Sequence, residues 1–550
     1  MRVAANCAHK KFGLDFCSGN EISDQNRFHF FKEKKMKEWL KDAIFYEIYP
    51  QSFKDTNGDG IGDLKGVIEK LDYIKDLGFN AIWLNPCFES PFHDAGYDIS
   101  DYCKIAPRYG TNEDARKLFA EAHKRNMHVL FDLVPGHTSI EHEWFKQSMK
   151  STEKNPNEFH DRYIWSGDWG NKMEGVSNIT GMLNGFCDRG DCATNFFTTQ
   201  PALNYGFLKP DPKKSWQLSM DSPGARATKN AIWDVMKFWL SMGCDGFRVD
   251  MAFSLIKNDD KNSTGTIKFW QEIRGWLDKE FPNAAMVSEW GAPEKSLKAG
   301  FDMDFLMQCG STHYLDLFRE NPYFAGAGDL TEFWKSYESL SRKVGKLGLL
   351  CLISGNHDIE RMARKLSPEQ IKLAFTFLLT MPGATFVYYG DEIGMKYIED
   401  QPSVEGGYSR TGSRTPMQWD TSLNAGFSSA KPNDLYIPLD ASENRPNVAA
   451  QEKEENSILN TVKKLNALRK STDSLKNLAP LELISCGKKG EVLAYVRGGD
   501  VLVAINPFDA QKEISLPKKF CDKGAERFAL GGAKIQNGKI ILPKQSAIVI

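Results

Sequence analysis

No apolar run in this sequence approaches the ~18 residues that a membrane-spanning helix needs, so no span is expected. The chain also has almost no net charge, −2 over 550 residues. That leaves no basic footprint for nucleic acid and no attraction to an anionic membrane surface. Cysteine is sparse: eleven residues, an odd number scattered along the chain, do not make a disulfide scaffold. The one close pair, Cys187 and Cys192, is read as two free thiols, and no Cys/His cluster has zinc spacing. Internal repeats and low-complexity tracts are missing too. Residues 1–35 have neither the apolar core nor the small-residue cleavage site of a secretory signal. They are expected to be a disordered leader, or a mis-assigned start ahead of Met36. A cytoplasmic monomer is the default expectation.

What is present is a globular composition, 41% hydrophobic and 26% charged, in a chain too long for one ordinary core. Short β-rich apolar runs alternate with amphipathic stretches. The runs are Ala43–Pro50, Ala81–Pro86, His128–Val134, Gly246–Asp250, Ala284–Glu289, Phe301–Phe305, Leu349–Asp358 and Thr385–Glu392. Continuous apolar strands separated by helical segments predict a parallel sheet covered by helices. Eight such units predict an α/β fold, a (β/α)8 TIM barrel. Helical periodicity covers Leu64–Leu77, Asn112–Arg125, Thr228–Met242 and Ser457–Arg469.

Two stretches break the alternation. Roughly a hundred residues between the third and fourth runs exceed what a βα loop needs, and predict an inserted irregular domain. Near the C-terminus, Val492–Val496, Val501–Ile505 and Ala547–Ile550 read as antiparallel strands, predicting a β-sandwich. The expected organisation is leader 1–35, barrel 36–137, insertion 138–215, barrel 216–472 and C-terminal β domain 473–550.

Chemistry is expected where the barrel strands end. Those ends carry three carboxylates, Asp250, Glu289 and Asp358, together with His137, His357 and Arg248. A strand-end Asp often only caps the next helix, but so many reactive groups at different strand ends imply a shared site. Two carboxyls about 5–5.5 Å apart on neighbouring strands suit retaining glycoside hydrolysis. Arg248 lies two residues before Asp250, so strand alternation points both side chains into the same space. There its charge would favour an ionised Asp250. Glu289, between Val287 and Trp290, is expected to have the raised pKa of a general acid.

The segments Asp132–His137, Gly246–Asp250, Val287–Glu289 and Asn356–Asp358 resemble the four motif regions of glycoside hydrolase family 13, the α-amylase family. Gln200–Asn204 and Phe386–Glu392 resemble two further motifs. The stretches Arg414–Asp420, Asn424–Ser428 and Asn447-Val448 are similar to the oligo-1,6-glucosidase and α-glucosidase branch. The resemblance runs from about residue 40 to the end. It implies that Asp250 is the nucleophile, Glu289 the acid/base, and Asp358 the carboxylate that holds the sugar's 2- and 3-hydroxyls. It further implies that His137 and His357 hydrogen-bond that sugar and that Tyr97 stacks on it. Asp94 and Arg414 match a pair that grips the terminal sugar and makes an enzyme exo-acting. An α-glucoside oligosaccharide is the implied substrate.

Asp55, Asn57, Asp59, Ile61 and Asp63 have the alternation of an EF-hand loop's first half, with Gly60 at position six and without its final Glu. The pattern, and the resemblance, imply a structural Ca2+ or Mg2+. Two positions depart from the family: Gly136 stands where many relatives have Asn, and Ala202 replaces an Asp. A second calcium at the insertion is therefore not expected. The alternatives to exo-hydrolysis are an endo-acting α-amylase, glucosyl transfer or isomerisation of the trehalose-synthase or sucrose-isomerase kind, and a catalytically inactive binding relative. Met251, directly after the nucleophile, matches neither residue usual for α-1,4 or α-1,6 preference.

Overall fold

The computed structural model describes residues 36–550 except 171–172, 174, 307–311 and 522–524. The expectation about the leader lies outside the described residues.

Eight parallel strands close a barrel: β1 (Ile44–Ile48), β2 (Ala81–Leu84), β3 (His128–Leu133), β4 (Gly246–Val249), β5 (Ala285–Ser288), β6 (Met303–Phe305), β7 (Leu349–Ile353) and β8 (Thr385–Tyr388). Each pairs with its sequence neighbour, and β8 closes on β1 with Ile44 opposite Thr385. The strands read as unbroken apolar runs because helices cover one face and packed side chains fill the other. Glu47 breaks that rule in β1 and is wholly buried.

Several expected strands run on too far. β7 ends at Ile353, five residues before Asp358, and β6 starts at Met303 rather than Phe301. The apolar residues beyond these ends are buried by the barrel rim, not by ladder pairing. Similarly, the predicted helix Leu64–Leu77 is two short helices, Leu64–Glu69 and Leu71–Asp76, meeting at Lys70. The helix Pro223–Met242 is cleanly bounded: Ser222 caps its start, and Gly243 at φ 112° takes the left-handed turn at its end.

Between β3 and β4 lie the helix Glu143–Lys150 and a small hairpin, Gly181–Leu183 with Cys192–Thr194. This segment has its own small core of Ile164, Met173, Ala193, Ala202 and Phe207. Cys187 and Cys192 are free thiols.

The C-terminal region adds β9 (Leu481–Cys486), β10 (Leu493–Arg497), β11 (Val501–Asn506), β12 (Lys512–Ser515), β13 (Phe528–Leu530), β14 (Lys534–Gln536), β15 (Lys539–Leu542) and β16 (Ser546–Val549). They form an antiparallel five-stranded sheet ordered β9-β10-β11-β16-β13 and a three-stranded sheet ordered β12-β15-β14. Val496, Leu502, Ile540, Leu542 and Ile548 form the core they share. β9 and β12 were not legible in the sequence because no residue in either is fully buried.

Two buried arginines bind the end of helix Pro368–Thr380. Arg469 donates to the carbonyls of Leu379, Met381 and Gly383, each at 2.8 Å, and Arg497 donates to that of Thr380. Cations suit the negative end of a helix, and these satisfy its last free carbonyls. Among the described residues, no helix is long and apolar enough to cross a membrane.

Candidate active site

The strand ends bring the predicted groups together on one rim. Asp250 follows β4 and Glu289 follows β5; their N–H groups donate to Leu133 and Val249 carbonyls on the preceding strands, both at 2.9 Å. Arg248 projects between them. Its Nη1 donates to Asp250 Oδ1 at 3.1 Å, and its Nη2 lies 2.7 Å from Glu289 Oε2. Met251, at φ 39°, turns its N–H toward the same Glu289 oxygen at 3.1 Å.

Asp132 is a fourth carboxylate at this centre. It lies opposite Arg248 in the β3–β4 register and accepts from that guanidinium at 2.8 and 3.0 Å. Trp83 Nε1 and the Tyr97 hydroxyl also donate to it, each at 3.1 Å. Burial pushes the Asp132 carboxyl up to about 6, against the pull of Arg248. Its place near the end of the third predicted strand was legible in the sequence; its pairing with Arg248 was not.

Burial, followed by the neighbouring Glu289 charge, pushes Asp250 well above the usual carboxylate range, and Arg248 opposes both. The arginine favours an ionised Asp250, as its position implied, but burial and Glu289 outweigh it.

Asp358 sits across the rim. Its Oδ1 accepts from Arg410 at 3.0 Å and Arg414 at 3.1 Å, and its Oδ2 is 3.2 Å from His357 Nε2. Burial works against its charge. His357, Arg410 and Arg414 overcome that and hold the carboxyl below its ordinary value.

His357 is enclosed. Its Nδ1 faces Glu47 at 3.0 Å and Asn85 at 3.1 Å, and its Nε2 meets the Tyr97 hydroxyl at 2.8 Å. The Tyr97 ring stacks on it at 5.3 Å and 13°, so one face of Tyr97 is already occupied by the protein. His137 has its Nε2 3.0 Å from the Tyr97 carbonyl and its Nδ1 3.3 Å from Asn195 Nδ2. Burial pulls His137 down to about 4 and His357 to about 3, so both rings are neutral near pH 7.

The structure corrects one pairing. The guanidinium facing Asp94 belongs to Arg410, whose Nη2 is 3.4 Å from Asp94 Oδ1. Arg414 lies deeper, on the His357 carbonyl at 2.8 Å and on Asp358, and acts on Asp94 through its charge rather than a hydrogen bond. Both arginines stand four residues apart in the same loop, and spacing alone did not separate them. Gln200 holds the other Asp94 oxygen at 2.8 Å. Burial pushes Asp94 up to about 6, with Arg410 pulling the other way.

The loop Asp55–Asp63 curls through Asx turns. Asp55 accepts from the N–H groups of Asn57, Gly58 and Gly60, Asn57 from Asp59, and Asp59 from Ile61. Asp63 caps helix Leu64–Glu69 through Gly66 and also accepts from Thr56. Among the described residues, no three His, Cys, Asp or Glu side chains are placed to hold a metal ion. The set expected to hold Ca2+ or Mg2+ also draws on the Asn57 amide and the Ile61 backbone carbonyl, and no chemistry is routed through that ion.

An alpha-amylase catalytic-domain family model matches residues 47–477. The chain belongs to glycoside hydrolase family 13, the α-amylase family. It is 30% identical over 571 residues to the oligo-1,6-glucosidase of Bacillus cereus, covering 92% of this chain and 97% of the relative. It is 32% identical over 509 residues to the trehalose synthase/amylase of Mycolicibacterium smegmatis, covering 84% and 80%. Among solved structures, an isomaltulose synthase mutant from Erwinia rhapontici NX5 in complex with sucrose superposes with a TM-score of 0.76 at 27% identity, over 93% of this chain and 98% of that one. As a family member the protein is a glycoside hydrolase.

Proposed function

We propose that this family 13 enzyme cleaves terminal α-glucosyl residues from short oligosaccharides with retention of configuration. The observation that carries the reading is the single Arg248 guanidinium spanning Asp250 and Glu289. Two carboxyls held by one guanidinium suit the close pair of a retaining site better than a pair about 6.5–9.5 Å apart with room for an inverting water.

As the general acid, Glu289 gives a proton to the glycosidic oxygen as that bond breaks. Ionised Asp250 attacks the anomeric carbon, forming a covalent glucosyl ester. Glu289, now a carboxylate, takes a proton from water; the water oxygen bonds to the same carbon, and Asp250 leaves. Asp358, kept ionised by Arg410 and Arg414, accepts hydrogen bonds from sugar hydroxyls that strengthen as positive charge builds on the ring. The Asp94–Arg410 wall supports exo-action, because an ion pair across the cleft stops a chain from passing through. The test is release of α-glucose, followed by proton NMR before mutarotation, across maltose, isomaltose, sucrose, trehalose and p-nitrophenyl α-glucoside. Glucose from none of them sinks the reading.

A second reading is glucosyl transfer or isomerisation, supported by the likeness to a trehalose synthase/amylase and to an isomaltulose synthase. Both outcomes start from the same glucosyl ester and differ in whether water or a retained sugar accepts it. Disaccharide products from maltose or sucrose on chromatography would favour this reading.

A further inference from the structure

Gly136 has no positive φ to explain it, and its reason is space. A Cβ built there would lie 2.4 Å from Asn195 Nδ2 and 3.2 Å from Ser254 Oγ. The backbone around it is fixed from both sides: the Gly136 carbonyl accepts from Leu203 N at 3.1 Å, and His137 bridges Ala202. The volume that a side chain at 136 would claim is taken by the carboxamide of Asn195, which comes from the inserted segment and is 1% exposed.

The orientation of that amide is not arbitrary. Its Oδ1 faces Lys257 Nζ at 3.4 Å. Lys257 is 1% exposed, and its ammonium also donates to the carbonyls of Asn178 at 2.7 Å and Ser254 at 2.8 Å. Burial pulls Lys257 down to about 7, yet it is the donor to the amide oxygen, which turns the NH2 the other way. There it meets His137 Nδ1 at 3.3 Å, Ser254 Oγ at 3.2 Å and Met251 Sδ at 3.9 Å. At the other side of the imidazole, a backbone carbonyl, that of Tyr97, faces Nε2 at 3.0 Å. A carbonyl only accepts, so Nε2 carries the proton and Nδ1 is the acceptor.

We infer that Asn195 is a positioning residue of the hydrolytic site: set by Lys257, its carboxamide holds His137 as the Nε2–H tautomer and steadies Met251 beside Asp250 and Glu289. The inference rests on the hydrolytic reading above only for its kinetic consequence. Met251 sits at φ 39° with its N–H on Glu289, so the residue that Asn195 touches also joins the two reacting carboxyls. The Tyr97 that His137 engages is in turn bonded to Asp132 and His357. One amide from the insertion thus reaches both sides of the centre.

The test combines Asn195→Ala, Asn195→Asp, Gly136→Ala and the double variant Gly136→Ala/Asn195→Ala, each checked for folding by circular dichroism and melting. Asn195→Ala is expected to lower kcat/KM on p-nitrophenyl α-glucoside about 10- to 100-fold, with kcat falling more than KM rises, the scale on which small misplacements act. Gly136→Ala should cause the same defect by displacing the amide, and the double variant should be no worse than either single one. Nitrogen-15 NMR of His137 should show Nε2–H with a bare Nδ1 in the wild type. In Asn195→Asp, an acceptor facing Nδ1 should protonate that nitrogen too at pH 6. A wild-type ring protonated on Nδ1, an Asn195→Ala enzyme within twofold of wild type, or additive single defects each overturn the inference. If the wild type hydrolyses no α-glucoside, the hydrolytic reading fails instead, and the NMR arm still decides what Asn195 does to His137.

Discussion

Arg410 reaches Asp94 at 3.4 Å while its other terminal nitrogen donates to Asp358 at 3.0 Å. One side chain thus ties the wall of the cleft to the carboxylate of the cleavage subsite. Replacing it with alanine removes charge-assisted hydrogen bonds worth about 1.5–3 kcal/mol. Arg410→Ala should therefore lose on the order of 10- to 100-fold in kcat/KM on maltose. It should also gain cleavage of a blocked-end maltoheptaoside, because the far side of the subsite is opened. An unchanged exo pattern in a digest of that substrate would show that the pair is not the barrier.

Arg414→Ala should behave differently. Arg414 is 1% exposed and holds the His357 carbonyl as well as Asp358. Its loss should lower the melting temperature along with activity, whereas Arg410→Ala should melt close to wild type. Differential scanning fluorimetry on the two variants separates the roles.

A ring-fluorinated glucosyl fluoride, such as 5-fluoro-α-glucosyl fluoride, should load the enzyme through Asp250 as its anomeric fluoride leaves. Mass spectrometry of a digest should find one added fluoroglucosyl group on the peptide that contains it. Asp250→Asn should show no adduct and lose about 10^3-fold or more in kcat. An adduct on any other carboxylate would reassign the nucleophile.

Glu392 ties stability to pH. It accepts from Tyr46 at 2.6 Å and Tyr73 at 2.7 Å through one oxygen, while the other, buried, has no partner. Burial pushes this carboxyl up to about 7 from an ordinary 4.5. Between those values the folded state binds the extra proton, so the stabilisation is full at low pH and is lost as pH rises through about 7. Glu392→Gln stays neutral throughout. Its melting temperature should therefore gain on wild type as pH goes from about 5 to 8, by a few degrees at most. A constant offset across that range would refute the assignment.

Arg469 donates four hydrogen bonds of 2.7–2.8 Å, three to carbonyls at the end of helix Pro368–Thr380 and one to Asn477. Arg469→Met would leave those acceptors buried without partners, at a cost of about 1–3 kcal/mol for each that water cannot reach. Urea unfolding should show a loss of several kcal/mol, on the order of 3 or more.

The sequence by itself determined the barrel and its reactive rim. Apolar strand cores are continuous because both faces are covered; Asp250 and Glu289 directly follow strands, Arg248 lies in β4 and Asp358 on the loop beyond β7, so local pattern and motif were enough. It did not separate Arg410 from Arg414, because two arginines one loop-turn apart differ only in which reaches Asp94. Tertiary structure alone decided that, and it decided the fate of Asp132 and Glu47, whose carboxylates gain meaning from partners far along the chain. It also showed why residue 136 is glycine: Asn195 arrives from the insertion to fill that space, a steric relation between residues 59 positions apart that no local pattern encodes.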